Sequence, residues 1–339
     1  MAAKMNQFPM VPVPVNDGMP NTFMMDAAAI SGGMAFLVGE LEKRDEQLHE
    51  PLTSITWPRD IPVKTGGGWS DSVSVFDVSY ASSGGSDDGL MGAESNDLPI
   101  IQADIGKASV PTLMWGHILM IPLIDQQRLQ KIGRNLDDVL TKGLHLVHDK
   151  KLDESTYLGF PKHKTYGLVN DPNIPTVTVA AGAAGGTAWA EKTPDEILAD
   201  VNRAQLGTWA ASEYDLSGMA NHILIPPQDY AHIVHTKVGV TGDKSILQFL
   251  LENNIGKNQG VDLVIAPCRW CEGVGTGNTN RMASYANNID RVRFDITVPL
   301  QRLLTQASAA HMAYLTPYVT QFTPVQWIYR QHAMYLDGI

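Results

Sequence analysis

The spacing of hydrophobic and polar positions changes several times along the 339-residue chain, and each change predicts a different element. Residues 1–25 contain four prolines, which disfavour helix and inner strand, so this segment is either an extended arm or a disordered tail. A helical spacing follows from residue 26 to about residue 50, where a proline ends it.

Apolar and polar residues alternate in "SVSVFDVSY" (72–80), which predicts a strand, and "PIIQADIGKASVPTLMW" (99–115) supplies a return strand. A Gly-, Ser- and Asp-rich tip connects them, with no basic residue over 81–100. An isolated hairpin of this length is only marginally stable in water, so we expect contacts from outside to hold it. The acids of the tip are Asp87, Asp88, Glu94 and Asp97.

A long helix is predicted from about Asp125 to Tyr157, where proline is absent and apolar residues recur in steps of three and four. At about 1.5 Å per residue, it would be a rod of roughly 45–50 Å. Gly133 and Gly143 would each weaken it by about 1 kcal/mol relative to alanine, so we expect close packing or a bend there. The apolar series is Leu129, Ile132, Leu136, Val139, Leu140, Leu144 and Val147.

The stretch "YGLVNDPNIP" (166–175) marks the exit from this helix, since Gly167 can supply an unusual backbone torsion and the two prolines block further helix. Thr193, Pro194 and Glu196 then predict a capping box at the start of another helix. The remaining predicted elements are a strand at "HILIPP" (222–227), a helix from about Gln228, a helix at "KSILQFLLENN" (244–254), a buried strand at "VDLVIAP" (261–267) and mostly β-structure over the last sixty residues.

Composition says more about the class of protein than it says about the fold. Hydrophobic residues make up 44% of the chain and the formal net charge is −11, with no cluster of Lys or Arg, which disfavours a nucleic-acid reader. The first fifteen residues do not resemble a secretory signal, and the longest apolar stretch (113–124) is too short to span a bilayer. We therefore expect synthesis in a cytoplasm and no membrane partner.

Residues that could carry chemistry are sparse. Cys268 and Cys271 follow a predicted strand and have no further zinc ligands nearby, so two reduced structural thiols are favoured over a redox or metal pair. His145 with His148, and His232 with His235, have metal-like spacing without an obvious third ligand, which favours packed or solvated histidines.

The Gly-rich segment "GVGTGNTNR" (273–281) lacks the third glycine of a dinucleotide-binding loop, because Asn278 stands in its place. The sequence also lacks phosphate-loop, nucleophile-elbow and metalloprotease motifs. We therefore predict no catalytic, cofactor-binding or metal-ligating residue, and no enzyme.

The order of elements resembles that of tailed-phage major capsid proteins with the Hong Kong 97-like fold, in a coat-protein family once catalogued as a domain of unknown function. Gly167, Leu168, Asn170 and Pro172 match the family's G-L-x-N-x-P stretch. Where the family has Arg-x-Pro, this chain has 330–332 as Arg-Gln-His. Other similar stretches are 97–159, which looks like the return arm of an extended loop entering a spine helix, "WAEKTPDEILADVNRA" (189–204), "ILIPPQDYAHIV" (223–234) and "MYLDGI" (334–339).

The resemblance implies an α+β capsid fold with five parts. These are an N-terminal arm and helix (1–50), an extended loop with β-hairpin (51–121), a peripheral domain with the spine helix (122–220), an axial domain (221–310) and a C-terminal β segment returning to the peripheral domain (311–339). With about fifty residues before the hairpin, we expect no large fused scaffolding domain.

The same resemblance implies a major capsid protein that self-assembles into the icosahedral head shell around double-stranded DNA, located in the virion, without a cofactor. The implied partners are itself as hexamers and pentamers, a scaffold, a portal, decoration proteins and packaged DNA without sequence-specific contact. Two alternatives remain open. One is an encapsulin-like compartment shell. The other is a cytoplasmic α/β enzyme, which would need a concave site with perturbed ionisable groups.

One contact between subunits is predicted from charge. Arg128, Lys131 and Arg134 recur every three residues on the predicted long helix and form a basic stripe. We predict that the acidic tip of one subunit lies over the stripe of its neighbour, the alternative being a solvated helix face. Exposed ion pairs contribute only about 0–1 kcal/mol each. They would therefore align the two subunits more than they would strengthen the binding between them.

Overall fold

The computed structural model describes residues 54–83, 100–125, 136–239 and 244–339. By its internal contacts the chain divides into Met1–Leu52 and Thr53–Ile339, and every described residue belongs to the second unit. The predicted arm and first helix, the acidic tip and the basic stripe lie outside the described residues. None of the described helices is long and apolar enough to cross a membrane.

Helices and strands alternate irregularly, as in an α+β protein. The described helices are α1 (Trp57–Asp60), α2 (Leu136–Leu158), α3 (Pro194–Ala211), α4 (Pro227–His235), α5 (Ile246–Asn253) and α6 (Ile255–Asn258). Short 3-10 turns lie at Pro161–His163, Trp189–Glu191, Leu216–Gly218, Arg269–Cys271, Thr276–Asn278 and Arg330–His332.

Fourteen strands are described. In chain order they are β1 (Val63–Thr65), β2 (Ser72–Ser83), β3 (Ile100–Pro111), β4 (Leu113–Pro122), β5 (Thr176–Thr178), β6 (His222–Ile225), β7 (Val264–Pro267), β8 (Arg281–Tyr285), β9 (Val292–Ile296), β10 (Val298–Arg302), β11 (Gln306–Ser308), β12 (Ala313–Phe322), β13 (Gln326–Trp327) and β14 (Ala333–Asp337). The expected β-structure of the last sixty residues is therefore confirmed.

These strands form four sheets. The largest has the order β5-β14-β8-β6-β7, and a three-stranded sheet has the order β1-β9-β13. In the four-stranded sheet, β12 pairs with β10 and β11 along one edge and with β4 along the other. The fourth sheet contains only β2 and β3. The predicted return strand is divided, because Pro111 lacks the N–H that a continuous ladder needs and β4 begins two residues later.

The five-stranded sheet separates two hydrophobic clusters. Because strand side chains alternate, Ile223 and Ile225 of β6 pack on one side with residues of α3 and α5, while Leu224 packs on the other. The second side also receives Tyr157 from the end of α2. A smaller cluster of Leu119, Ile121, Leu144 and Tyr318 packs α2 against β4 and β12.

Helix α3 begins where the sequence predicted. The Thr193 side chain accepts a hydrogen bond from the Glu196 N–H, and the Glu196 carboxylate accepts one from the Thr193 N–H at 2.8 Å. Pro194 occupies the first turn, where its missing N–H costs nothing. This capping box is local in sequence, which is why it could be predicted without the fold.

Helix α2 agrees with the described part of the predicted long helix and ends at Leu158. Of the two alternatives expected at Gly143, close packing or a bend, close packing is not found among the described residues, because a Cβ there would meet no heavy atom within 4 Å. Its partner Gly133 lies outside the described residues. Gly143 therefore lies on an open side of the helix.

The role predicted for Gly167 is wrong. Its φ is not positive; the left-handed residue is Gly159, with φ +66°, directly after the last residue of α2. Instead, the chain doubles back so tightly that a Cβ on Gly167 would lie 2.3 Å from the Tyr157 carbonyl carbon and oxygen. Asn170 fixes this turn, since its Oδ1 accepts from the Gly167 N–H at 2.7 Å and its Nδ2 donates to the Leu158 carbonyl at 2.8 Å.

These two glycines give a matched pair of substitutions. Gly167→Ala should lower the free energy of unfolding by about 1–3 kcal/mol, because the new methyl group overlaps backbone that cannot move independently. Gly143→Ala should raise it by up to about 1 kcal/mol, because the helix gains propensity without a clash. Denaturant unfolding of the unassembled subunit measures both. Equal effects of the same sign would contradict the close approach at Gly167.

Candidate functional site

The histidine and cysteine residues singled out in the sequence lie in different surroundings. His145 is exposed, whereas His148 is buried with its ring 5.2 Å from that of Trp115 and its Nδ1 bonded to Asp149. Cys268 and Cys271 are both free and buried, and burial raises the pKa of Cys271 well above its usual range. Within the described ranges, no group of three or more His, Cys, Asp or Glu is placed to hold a metal ion.

The Gly-rich segment has a structural contact. The N–H and the hydroxyl of Thr276 both donate to Asp337 Oδ2 at 2.8 Å. The Arg281 guanidinium, itself buried, makes two further bonds to the same carboxylate at 2.6 and 2.9 Å, and its third nitrogen reaches the Val169 carbonyl. The loop therefore fixes the end of β14, and with it the "DGI" that closes the chain.

The seven residues of the predicted charge contact cannot be placed. The basic stripe (Arg128, Lys131, Arg134) and the acids of the tip (Asp87, Asp88, Glu94, Asp97) lie outside the described residues. Their contact stays a prediction. The parts of the chain that lead to them are described, and these parts carry several exposed apolar side chains.

Strands β2 and β3 form a two-stranded sheet that we call the ribbon (72–83 and 100–111). Twelve consecutive pairs join the strands, from Ser72 opposite Pro111 to Ser83 opposite Ile100. At about 3.4 Å per residue, the ribbon extends for about 40 Å. No other described strand pairs with either of its edges.

One face of the ribbon is apolar. Residues directly opposite in an antiparallel pair share a face, so the pairs Phe76–Lys107, Val78–Ile105, Tyr80–Ala103 and Ser82–Ile101 all point the same way. Phe76 is 66% exposed, Tyr80 76%, Ile101 75% and Ile105 65%. Large apolar side chains at such exposure, gathered on one surface, are typical of an interaction site.

The opposite face of the ribbon is polar in its middle, between the apolar pairs at its base and Ile100 at its far end. Asp77 and Gly106, Ser79 and Asp104, and Ala81 and Gln102 are the opposed pairs there. The sequence contained this signal, because Phe76, Val78 and Tyr80 alternate with Asp77 and Ser79. Alternation alone predicts a face turned towards a core, whereas here none of the described residues covers the apolar face.

A second apolar surface lies on the four-stranded sheet. We call it the open sheet face: Met114, Ile118 and Met120 of β4 with Leu315, Pro317 and Val319 of β12. The three β4 residues are half or more exposed, whereas the alternate residues Leu119 and Ile121 are buried against α2. The second half of β4 is thus buried on one face, and the described residues leave its other face open.

Two buried carboxylates hold the segment that precedes the ribbon. Asp60 accepts hydrogen bonds from Arg59 Nε at 2.6 Å, from His222 Nε2 at 3.1 Å and from the Tyr157 hydroxyl. The Tyr285 hydroxyl donates to the Asp60 carbonyl oxygen. The Asp60 carboxylate thus bonds to α2 and β6 and the Asp60 carbonyl to β8, so one residue ties residues 57–60 to the core.

Asp153 of α2 completes this attachment. Its Oδ1 accepts from the backbone N–H groups of Thr56 and Trp57 at 2.9 and 3.2 Å. Its Oδ2 accepts from Arg269 at 3.1 Å and from the Trp270 indole at 2.9 Å. Asp153 is 1% exposed, so it carries the full cost of desolvation and is compensated by four donors.

Comparison with known proteins gives a family match over most of the chain. The family model described as Major capsid protein matches residues 87–339. This range includes the return strand of the ribbon, α2, and all of the five- and four-stranded sheets. A search among curated protein sequences found no match.

Solved structures match in fold. The capsid of Myoviridae phage XM1 has a TM-score of 0.74 at 18% identity, covering 89% of this chain and 98% of that chain. The capsid of the native GTA particle has a TM-score of 0.59 at 12% identity, covering 93% and 99%. A Mycobacterium phage Bobi chain has a TM-score of 0.57 at 13% identity, covering 89% and 98%. At these identities the likeness shows a shared fold alone.

The Asp60 cluster predicts a specific acid sensitivity. Burial by itself would raise the pKa of Asp60, but hydrogen bonds from His222, Arg59 and Tyr157 outweigh it and hold the pKa below the usual range of an aspartate. Because the folded pKa is the lower one, the contribution of Asp60 to stability is complete above about pH 5 and is lost as the pH falls through the folded pKa. Asp60→Asn should lower the free energy of unfolding at pH 7 by about 3–5 kcal/mol and flatten its dependence on pH below 4.

Urea unfolding of the unassembled subunit from pH 3 to 8 measures this effect. Asp262→Asn is the control, since Asp262 is exposed and pairs only with Lys257 among the described side chains, and it should leave the curve almost unchanged. Parallel curves for the Asp60 variant and the parent would refute the role given to this carboxylate.

Proposed function

Because the chain belongs to the major capsid protein family, we propose that the ribbon is the arm by which one subunit of a tailed-phage head shell binds the next. The family identifies a structural protein of the virion. The match to major capsid proteins favours this function over the compartment shell and the enzyme considered above. We infer that the chain has no catalytic role and that it is made in the host cytoplasm.

The apolar face of the ribbon carries the proposal. Burying a large apolar side chain contributes about 1.5–3 kcal/mol, so leaving Phe76, Val78, Tyr80, Ile101 and Ile105 in water forgoes several such contributions. A two-stranded sheet without a third element is also marginal by itself. Both deficits are removed if the apolar face packs against another subunit.

The open sheet face is the surface proposed to receive it. It is apolar, its β4 edge is ten residues long, and that length of about 33 Å is close to the 40 Å of the ribbon. The ribbon and the open sheet face are different surfaces of one chain, so a contact between them joins subunits head to tail. Such contacts close into a ring when the rotation from one subunit to the next divides a full turn evenly. Such rings would be the hexamers and pentamers of the shell.

The charge contact extends the same arrangement. The basic stripe begins six residues after β4 ends at Pro122, and the acidic tip begins where β2 ends. A ribbon whose body lies on the neighbour's β4 would bring its tip towards the chain that follows β4. We propose that the charges set register while the apolar face provides most of the binding energy.

Further features of the proposal rest on the family. We propose the Hong Kong 97-like arrangement, with the five parts bounded at residues 50, 121, 220 and 310. A scaffold, a portal and decoration proteins are proposed as partners, together with packaged DNA held without sequence-specific contact. The net charge of −11 supports the last point, since an inner wall that gripped phosphate would bind DNA strongly and in a salt-dependent way.

A paired substitution tests the apolar face. Val78→Ser with Ile105→Ser removes one cross-strand apolar pair. In each contact between two subunits, the loss of either side chain should weaken the binding free energy by about 2 kcal/mol. The subunit concentration at which shells form should therefore rise at least tenfold. Negative-stain electron microscopy with light scattering measures it, while the unfolding curve of the free subunit should stay within about 0.5 kcal/mol of the parent's.

The control lies one residue along each strand. Ser79→Ala with Asp104→Asn changes an opposed pair on the polar face, and shells should form at the parental concentration. If the Val78 and Ile105 variant forms shells as readily as this control, the ribbon does not bind through its apolar face.

Charge reversal tests the tip and the stripe. Arg128→Glu, Lys131→Glu and Arg134→Glu together should impair assembly but leave the subunit folded, and the defect should grow as the salt concentration falls. Adding Asp87→Lys and Asp88→Lys to the reversed chain should restore part of the yield of shells. Unchanged shells in the triple variant would refute the contact.

A further inference from the structure

The ribbon joins the rest of the subunit through two short connections that we call the crossings: residues 66–71 before β2, and Thr112 between β3 and β4. Gly66, Gly67 and Gly68 of the first crossing have φ angles of +105°, +114° and +71°. A Cβ at any of these three positions would meet no heavy atom within 4 Å. The glycines therefore provide a connection without packing, and something else must fix the direction in which the ribbon leaves the core.

A single buried amide contacts both crossings. Gln321 of β12 is 4% exposed, and its Nε2 donates to the Ser70 carbonyl at 2.7 Å and to Thr112 Oγ1 at 2.9 Å. Its Oε1 accepts from the Ser70 N–H at 3.2 Å and from Thr297 Oγ1 at 3.0 Å. Both N–H donors and both acceptor positions of the amide are thus used.

The two crossings are also bonded to each other at this point. The Thr112 hydroxyl donates to the Ser70 carbonyl at 2.5 Å, and the Thr112 N–H donates to the Asp71 carbonyl at 3.1 Å. Gln321 itself is held on both sides, because it is opposite Met114 of β4 and Val298 of β10. The amide therefore links the bases of both ribbon strands to a strand that is paired along both edges.

We propose that Gln321 is the positioning residue that sets the direction of the ribbon, and so determines where its apolar face meets the next subunit. The inference rests on the proposed function of the ribbon. Its physical basis is leverage: a rotation of about 10° at the base moves the end of a 40 Å ribbon by about 7 Å. Apolar contact is lost beyond about 4.5 Å, so a small change of direction at the base removes the contact at the end.

The variant that tests this is Gln321→Glu, which keeps size and shape. It replaces Nε2 by an oxygen that cannot donate to the Ser70 carbonyl and that repels it. Gln326→Glu is the matched control, because Gln326 is 3% exposed and bonds to Arg293, Asp295 and Thr323, outside the ribbon and its crossings. Both changes put a carboxylate in a buried site, but only the first touches the crossings.

Direction is measured directly by pulsed electron paramagnetic resonance. Nitroxide labels on Ser79→Cys in the ribbon and Gln228→Cys on α4 report the distance distribution in the unassembled full-length chain; Cys268 and Cys271 are buried and should not react. Gln321→Glu should broaden the distribution at least twofold, and Gln326→Glu should leave it as in the parent. Shells should form from the control and not from the Gln321 variant.

The outcomes distinguish the positioning role of Gln321 from the proposed function of the ribbon. An unbroadened distribution in Gln321→Glu overturns the positioning role, whatever the shells do. If Gln321→Glu does not fold, Thr112→Val decides, because it removes both hydrogen bonds of the Thr112 hydroxyl, to the Ser70 carbonyl and from Gln321 Nε2, without adding charge, and it should still broaden the distribution. A broadened distribution with normal shells overturns the link between direction and assembly. Failure of the unaltered parent to form shells or rings with its partners present would instead count against the proposed function.

Discussion

The subunit must hold a two-stranded ribbon whose apolar side chains the other described residues leave uncovered, and much of the surrounding structure follows from this constraint. A ribbon that does not pack against the described core must be fixed at its base. Polar groups do this work: Asp60 and Asp153 attach the segment before the ribbon, and Gln321 joins the two crossings. Each of these side chains is almost fully buried, and each meets donors or acceptors from several elements.

The subunit therefore departs from the usual distribution of residues in two ways. Apolar side chains are exposed on the ribbon and on the open sheet face, while carboxylates and an amide are buried at the joints. Buried polar groups that are fully paired add little net stability, but they allow one arrangement of the backbone and disfavour others. This suits a subunit whose binding surface must be presented in a fixed direction before any partner covers it.

The residues that could have indicated chemistry have structural contacts instead. Thr276 and Arg281 fix the carboxylate of Asp337 near the end of the chain, and the two cysteines are buried thiols. The stretch "GLVND" (167–171) at the middle of the sequence forms a tight return of the chain along the end of α2. There, Gly167 is required by the nearness of the Tyr157 carbonyl, and Gly159 takes the left-handed torsion.

The sequence by itself determined the features that depend on neighbouring residues. Alternation predicted the two ribbon strands, three- and four-residue spacing predicted α2, and the Thr193–Glu196 pair predicted the start of α3, because each is an interaction within a few residues. Only the tertiary structure decided which apolar face stays uncovered, why Gly167 must lack a side chain, and which polar groups hold the ribbon. Ser70 and Gln321 are 251 residues apart, and Asp60 and His222 are 162 apart, so no local pattern reveals such contacts. They exist because the fold brings distant segments together and each buried polar atom must then find a partner.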